Sequence, residues 1–109
     1  MIDDETKYTV SQIIEFCHEL EVVIIERKKT IDFLYHSGKM TDDLIGEIRM
    51  LRPEHQLTEL ELDYGVGHKG YVYHFRKLVF ERYWCYIKIK IKIGENRVVV
   101  VLSFHEEVC

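Results

Sequence analysis

Apolar residues recur every three or four positions through the first half of the chain and at alternate positions through the last third. Ile13, Ile14, Cys17 and Leu20 follow the 3.6-residue period of a helix. That helix starts near Thr9 or Ser11, and Ser11 with Glu15 close behind suits such a start. Residues 22–25 form an all β-branched run that reads as strand rather than helix. A second helix takes up at Thr30, with Ile31, Phe33 and Leu34 apolar and Gly38 as its stop. Thr41 is expected to cap a third, because Asp42 and Asp43 then fall in the first turn, where the helix dipole favours anions. Leu44, Ile45, Ile48 and Leu51 supply its buried stripe, and Pro53 ends it by disfavouring a helical Arg52.

Residues 57–70 carry Gly65, Gly67 and Gly70 and read as a loop. Beyond it the period is two, over residues 71–78, 83–93 and 96–104. Phe80-Glu81-Arg82 and Gly94-Glu95-Asn96 are short connections, so the three strands should form an antiparallel meander. The expectation is a single α+β domain over residues 1–109, with N-terminal helices packed on one face of a C-terminal antiparallel β-sheet.

Composition narrows the function classes. At 109 residues one core is the default, and the longest apolar runs, 22–25 and 98–102, are far too short to span a membrane. The acidic start, Met1-Ile2-Asp3-Asp4-Glu5, is unlike a secretory signal. Cys17, Cys85 and Cys109 are odd in number and widely spaced, as free thiols of a reducing cytoplasm would be. The net charge of −4 conceals an asymmetry: residues 1–63 carry −8 and residues 64–109 carry +4. Either the C-terminal half faces a polyanion although the chain as a whole is acidic, or acidic helices simply precede Lys-rich strands.

The 83–93 strand is the most informative stretch. Ile87, Ile89, Ile91 and Ile93 point one way, and Tyr86, Lys88, Lys90 and Lys92 the other. The lysine face is either a solvated surface that discourages edge pairing or a contact for phosphates. If the last strand folds back over the Gly94–Asn96 turn, His105 comes near Tyr86 or Lys88. His74 can approach the same region, and Arg76, Lys77 and Arg82 add cations nearby. Cys85 shares the isoleucine face and reads as core. Metal sites look poor, since His18, His36, His55, His68, His74 and His105 are scattered. Gly65-Val66-Gly67 lacks the following helix of a nucleotide loop.

These residue types suit RNA cleavage without a metal or other cofactor. A base takes the 2′-hydroxyl proton, an acid protonates the leaving 5′-oxygen, and cations hold the developing charge. Histidine titrates in the useful range, and the 2′-hydroxyl restricts the substrate to RNA.

Leu51-Arg52-Pro53-Glu54, Tyr71-Val72-Tyr73-His74-Phe75, Tyr86-Ile87-Lys88-Ile89-Lys90-Ile91 and Ser103-Phe104-His105-Glu106 occur in that order. In this the chain resembles the MqsR-like toxins of bacterial type II toxin–antitoxin systems. The resemblance implies a RelE-like fold, metal-independent cleavage of single-stranded mRNA, and a cognate antitoxin protein, often a zinc-containing DNA-binding protein. It places the family's active-site tyrosine on Tyr86, a basic residue on His105, and a glutamine near His74. A family lysine in the loop after the third helix has no counterpart; Thr58 or Glu59 stands there. The expected site is thus His105, Tyr86, Lys88 and His74 for chemistry, with Arg76, Lys77, Arg82, Lys90 and Lys92 binding RNA. The competing readings are a non-catalytic RNA- or protein-binding module of the same fold, and a phage or mobile-element inhibitor whose acidic helices mimic nucleic acid.

Overall fold

The computed structural model describes residues 7–62 and 70–107. Its helices are α1 (Val10–Glu19), α2 (Lys28–Ser37) and α3 (Thr41–Arg49). Its strands are β1 (Val22–Ile24), β2 (Gln56–Leu62), β3 (Tyr71–Val79), β4 (Tyr83–Ile93) and β5 (Arg97–Glu106), with a 3₁₀ turn at Pro53–His55. The strands form one sheet in the order β1-β5-β4-β3-β2, antiparallel except for the parallel β1–β5 pair. The class is α+β, and the β3-β4-β5 meander is present. Two strands flank it. One is the β-branched run after α1. The other covers residues 56–62, most of which had been expected to be loop. Gly65, Gly67 and His68 lie outside the described residues, as do residues 1–6 and Cys109.

The helix boundaries follow from local hydrogen bonds. Thr9 caps α1: its hydroxyl accepts from the Gln12 amide at 3.2 Å, while the Gln12 side chain accepts from the Thr9 amide at 2.8 Å. The reciprocal partner is thus Gln12, not Glu15. α2 begins at Lys28, two residues before Thr30, and ends on Gly38, whose φ of +71° is cheap for glycine. α3 is capped one residue earlier than expected: Met40 occupies the cap, and the Asp43 carboxylate accepts its amide at 2.8 Å.

One apolar cluster lies between the helices and the sheet face carrying Cys85, Ile87, Ile89 and Ile91. Ile13, Ile14 and Cys17 of α1, Phe33 of α2 and Leu44 and Ile48 of α3 meet it. Tyr73 is fully buried there, and its hydroxyl accepts the Tyr8 amide at 2.7 Å, so the polar end is satisfied. Among the described residues no helix is long and apolar enough to cross a membrane.

Two ionised side chains sit in this interior. Glu47 of α3 pairs with Lys77 of β3, and both are buried. The other Glu47 oxygen accepts the Phe80 amide at 2.9 Å. Phe80 and Glu81, in the β3–β4 turn, hold φ of +52° and +57° without being glycine, a conformation that costs on the order of 1–3 kcal/mol per residue. The turn is held there by the Arg82 amide donating to the Val79 carbonyl at 3.0 Å and by the Glu47 carboxylate.

Removing one member of a buried pair strands the other, at a typical cost of about 3–5 kcal/mol. Glu47→Ala should therefore lower unfolding free energy by that order in urea titration. Glu47→Ala with Lys77→Met should recover much of the loss. A single variant as stable as the parent would show that the pair does not anchor the turn.

Candidate functional site

The side chains of β4 divide by parity, odd positions from Tyr83 to Ile91 into the core and even positions onto the opposite face. Its neighbours add to that outer face through the register. Arg76 of β3 and His105 of β5 lie directly opposite Tyr86 on its two sides. His74 and Ser103 flank Lys88 in the same way. The result is two adjacent rows, Arg76–Tyr86–His105 and His74–Lys88–Ser103. Opposite residues have Cβ atoms about 4.5–5.5 Å apart. The Tyr86 and His105 rings stand 6.2 Å apart, centre to centre.

His105 reaches this face because β5 is bulged. From Arg97 to Val101 it pairs in one register with β4, and from Ser103 to Glu106 in another, so that Leu102 is the extra residue. Val99 and Val101 enter the core before the bulge, and Phe104 enters it afterwards. Without Leu102 as the extra residue, His105 would face Cys85 in the core and Phe104 would lie outside. Phe104 stacks on Phe33 at 5.9 Å, and its amide donates to the Thr30 hydroxyl at 3.1 Å.

This last bond places α2 along the part of β5 that β1 does not reach. A cleft of ≈ 400 Å³ opens there between α2 and the sheet, lined by Lys29, Asp32, His36, Tyr86, His105 and Glu106, with Phe33 behind. His36 Nε2 stands 3.6 Å from the Glu106 carboxylate. His105 Nδ1 is 3.1 Å from the Glu106 carbonyl. A carbonyl only accepts, so the proton in this contact is on Nδ1.

The cations separate into different roles. Arg76 donates Nε–H to Glu107 at 2.6 Å and lies 4.3 Å over the Trp84 ring. The Glu107 hydrogen bond first, and Tyr86 to a lesser degree, raise its pKa above the usual guanidinium value. Lys90 and Lys92 continue the outer face of β4. Lys77 is not an RNA-facing residue: its odd position turns it inward to Glu47. Arg82 is exposed at the hairpin turn, with its guanidinium 5.3 Å over the Tyr83 ring. Thr58 and Glu59 fall within β2.

Sequence reasoning missed His36, Lys29 and the carboxylates of Glu106 and Glu107. Lys29, Asp32 and His36 share a helix face by spacing, which was legible, but nothing local shows that this face borders the end of β5. Among the described residues no three His, Cys, Asp or Glu side chains group as a metal site. Comparison of the chain with protein-family models, with curated proteins and with solved structures finds no match in any of the three.

Cys17 and Cys85 are buried free thiols, and burial pushes both pKa values up to about 12, with Glu106 and Glu47 adding to the rise at Cys85. At pH 8 neither presents appreciable thiolate, the reactive form. Iodoacetamide should leave both unmodified in the native protein and alkylate them once denaturant opens the core, as read by peptide mass. Rapid native labelling of Cys85 would contradict its assignment to the core.

Proposed function

We propose that the protein is a metal-independent endoribonuclease acting on single-stranded mRNA, of the MqsR-like, RelE-like toxin type, neutralised in its host by a cognate antitoxin. The observation that carries this reading is the Arg76–Tyr86–His105 row beside Lys88, opening on a cleft with a second imidazole. His105 Nε2 accepts the 2′-hydroxyl proton. The 2′-oxygen then bonds to phosphorus, the bond from phosphorus to the 5′-oxygen breaks, and the products end in a 2′,3′-cyclic phosphate and a 5′-hydroxyl. Tyr86 or His36, on the same cleft, returns a proton to the leaving oxygen. Lys88 and His74 stabilise the negative charge on the phosphoryl oxygens. Lys90 and Lys92 meet the phosphates that follow along β4.

His105→Ala and Tyr86→Phe should each lower the cleavage rate by about 10²–10⁴-fold with little change in melting temperature. Cleavage should persist in EDTA, and a substrate with hydrogen in place of the 2′-hydroxyl should stay intact. If His105→Ala cuts as fast as the parent, or if EDTA abolishes cutting, this mechanism is wrong.

A charge-reversed stripe tests the binding surface separately. Lysines that neutralise phosphates release counterions, so RNA affinity should fall steeply as salt rises. Lys88→Glu with Lys90→Glu should weaken binding and flatten the slope of log affinity against log salt, leaving the circular dichroism unchanged. Salt-independent RNA affinity in the parent would remove the stripe from the site. The non-catalytic binding module is the second reading. It is favoured by the placement of Glu106 and Glu107 at the cleft and on Arg76, and binding without cleavage would select it.

A further inference from the structure

Trp84 is the chain's one tryptophan and is 47% exposed. It follows Tyr86 on the outer face of β4, one pleat toward the β3–β4 turn, and lies opposite Leu78, which is also exposed. The indole is nevertheless held in place. The Arg76 guanidinium covers it at 4.3 Å, Glu107 fixes that guanidinium at 2.6 Å, and the Glu107 amide donates to the Trp84 carbonyl at 2.7 Å. Since Glu107 already balances the Arg76 charge, this end of the outer face offers a flat apolar surface rather than a cation for phosphate. The lysines lie on the other side of Tyr86.

We propose that Trp84 is a base-stacking platform for single-stranded RNA, seating a nucleobase adjacent to the phosphate held between Tyr86 and His105. The proposal rests on the endoribonuclease reading and adds a subsite to it. Every nucleobase has a π-face, and an immobilised exposed ring binds one at little entropic cost. Arg76 acts as a positioning residue: its guanidinium occupies one face of the indole and leaves the other for the base. The polynucleotide then runs along β4, with a base on Trp84, the reacting phosphate at Tyr86 and later phosphates on Lys88, Lys90 and Lys92. The platform is indifferent to base identity, so any sequence preference arises elsewhere.

Because no other tryptophan is present, Trp84 reports on itself. The probe is an uncleavable 2′-deoxy oligonucleotide, used intact and in a series carrying one abasic position. The intact probe should quench Trp84 fluorescence saturably. Trp84→Ala should weaken its binding, measured by anisotropy, by about 5- to 150-fold, and Trp84→Phe should weaken it much less. One abasic position should weaken binding to the parent by a similar factor and make little further difference to Trp84→Ala. Binding with unchanged fluorescence and unchanged affinity in Trp84→Ala would overturn the platform while leaving the nuclease reading standing. Failure of the parent to bind any oligonucleotide, ribose or deoxyribose, would overturn both. A Trp84 spectrum that shifts with protein concentration alone, and is then insensitive to oligonucleotide, would assign the patch to a protein contact and overturn the proposal.

Discussion

The arrangement of the outer sheet face depends on one extra residue in β5. A β-strand has two faces and no intermediate setting, so inserting Leu102 exchanges the faces of everything that follows. Before it, Val99 and Val101 are inside; after it, Phe104 is inside and His105 outside. The bulge leaves Leu102 out of the regular register, and burial of Phe104 against Phe33, with its amide on Thr30, offsets that loss. Core packing and the position of His105 are therefore a single choice: Phe104 cannot be buried without His105 being placed beside Tyr86.

α2 turns that face into a cleft. Among the described residues β1 pairs with β5 only through Val99–Val101, so the following stretch of β5 has no strand among them on that edge. The Thr30 hydroxyl takes over one of its amides, and α2 lies where a longer β1 would have run. His36 and Lys29 reach the site by this route. At the same end of the sheet, beside the β3–β4 turn, Glu47 performs a comparable function through charge. It neutralises Lys77 and ties down the left-handed Phe80–Glu81 turn, which sets where β4 begins.

Charge counting along the chain describes the outer face poorly. Of the C-terminal cations, Lys77 is consumed by the interior and Arg76 is engaged by Glu107 and Trp84, while Arg82 stays exposed at the hairpin turn. The lysines of β4 remain on the outer face. The carboxylates of Glu106 and Glu107, the two residues after His105, stand close to the His36 imidazole and the Arg76 guanidinium respectively. Imidazoles beside carboxylates and a row of lysines make a more differentiated surface than a uniform basic patch.

The sequence by itself determined the elements whose signal is periodic. The stripes of α1 and α3, the Gly38 stop, the alternation of β4 and the hairpin after it are written in the spacing of apolar residues, because a helix or strand must turn one side to the core. It also placed Cys85 inside and Tyr86 and Lys88 outside. It failed where side chains carry no parity signal or where the partner is distant. The stretch Val98 to Leu102 is apolar at every position, so no pattern marks the bulge. Residues 57–62 alternate weakly beside a glycine-rich stretch, and they become strand only because β3 offers hydrogen bonds. Lys77 is an ordinary strand lysine until Glu47, thirty residues away, meets it in the core. Which face His105 occupies, which cations stay on the outer face, and that α2 walls the cleft were decided by packing between segments far apart in the chain, and local periodicity holds no information about that.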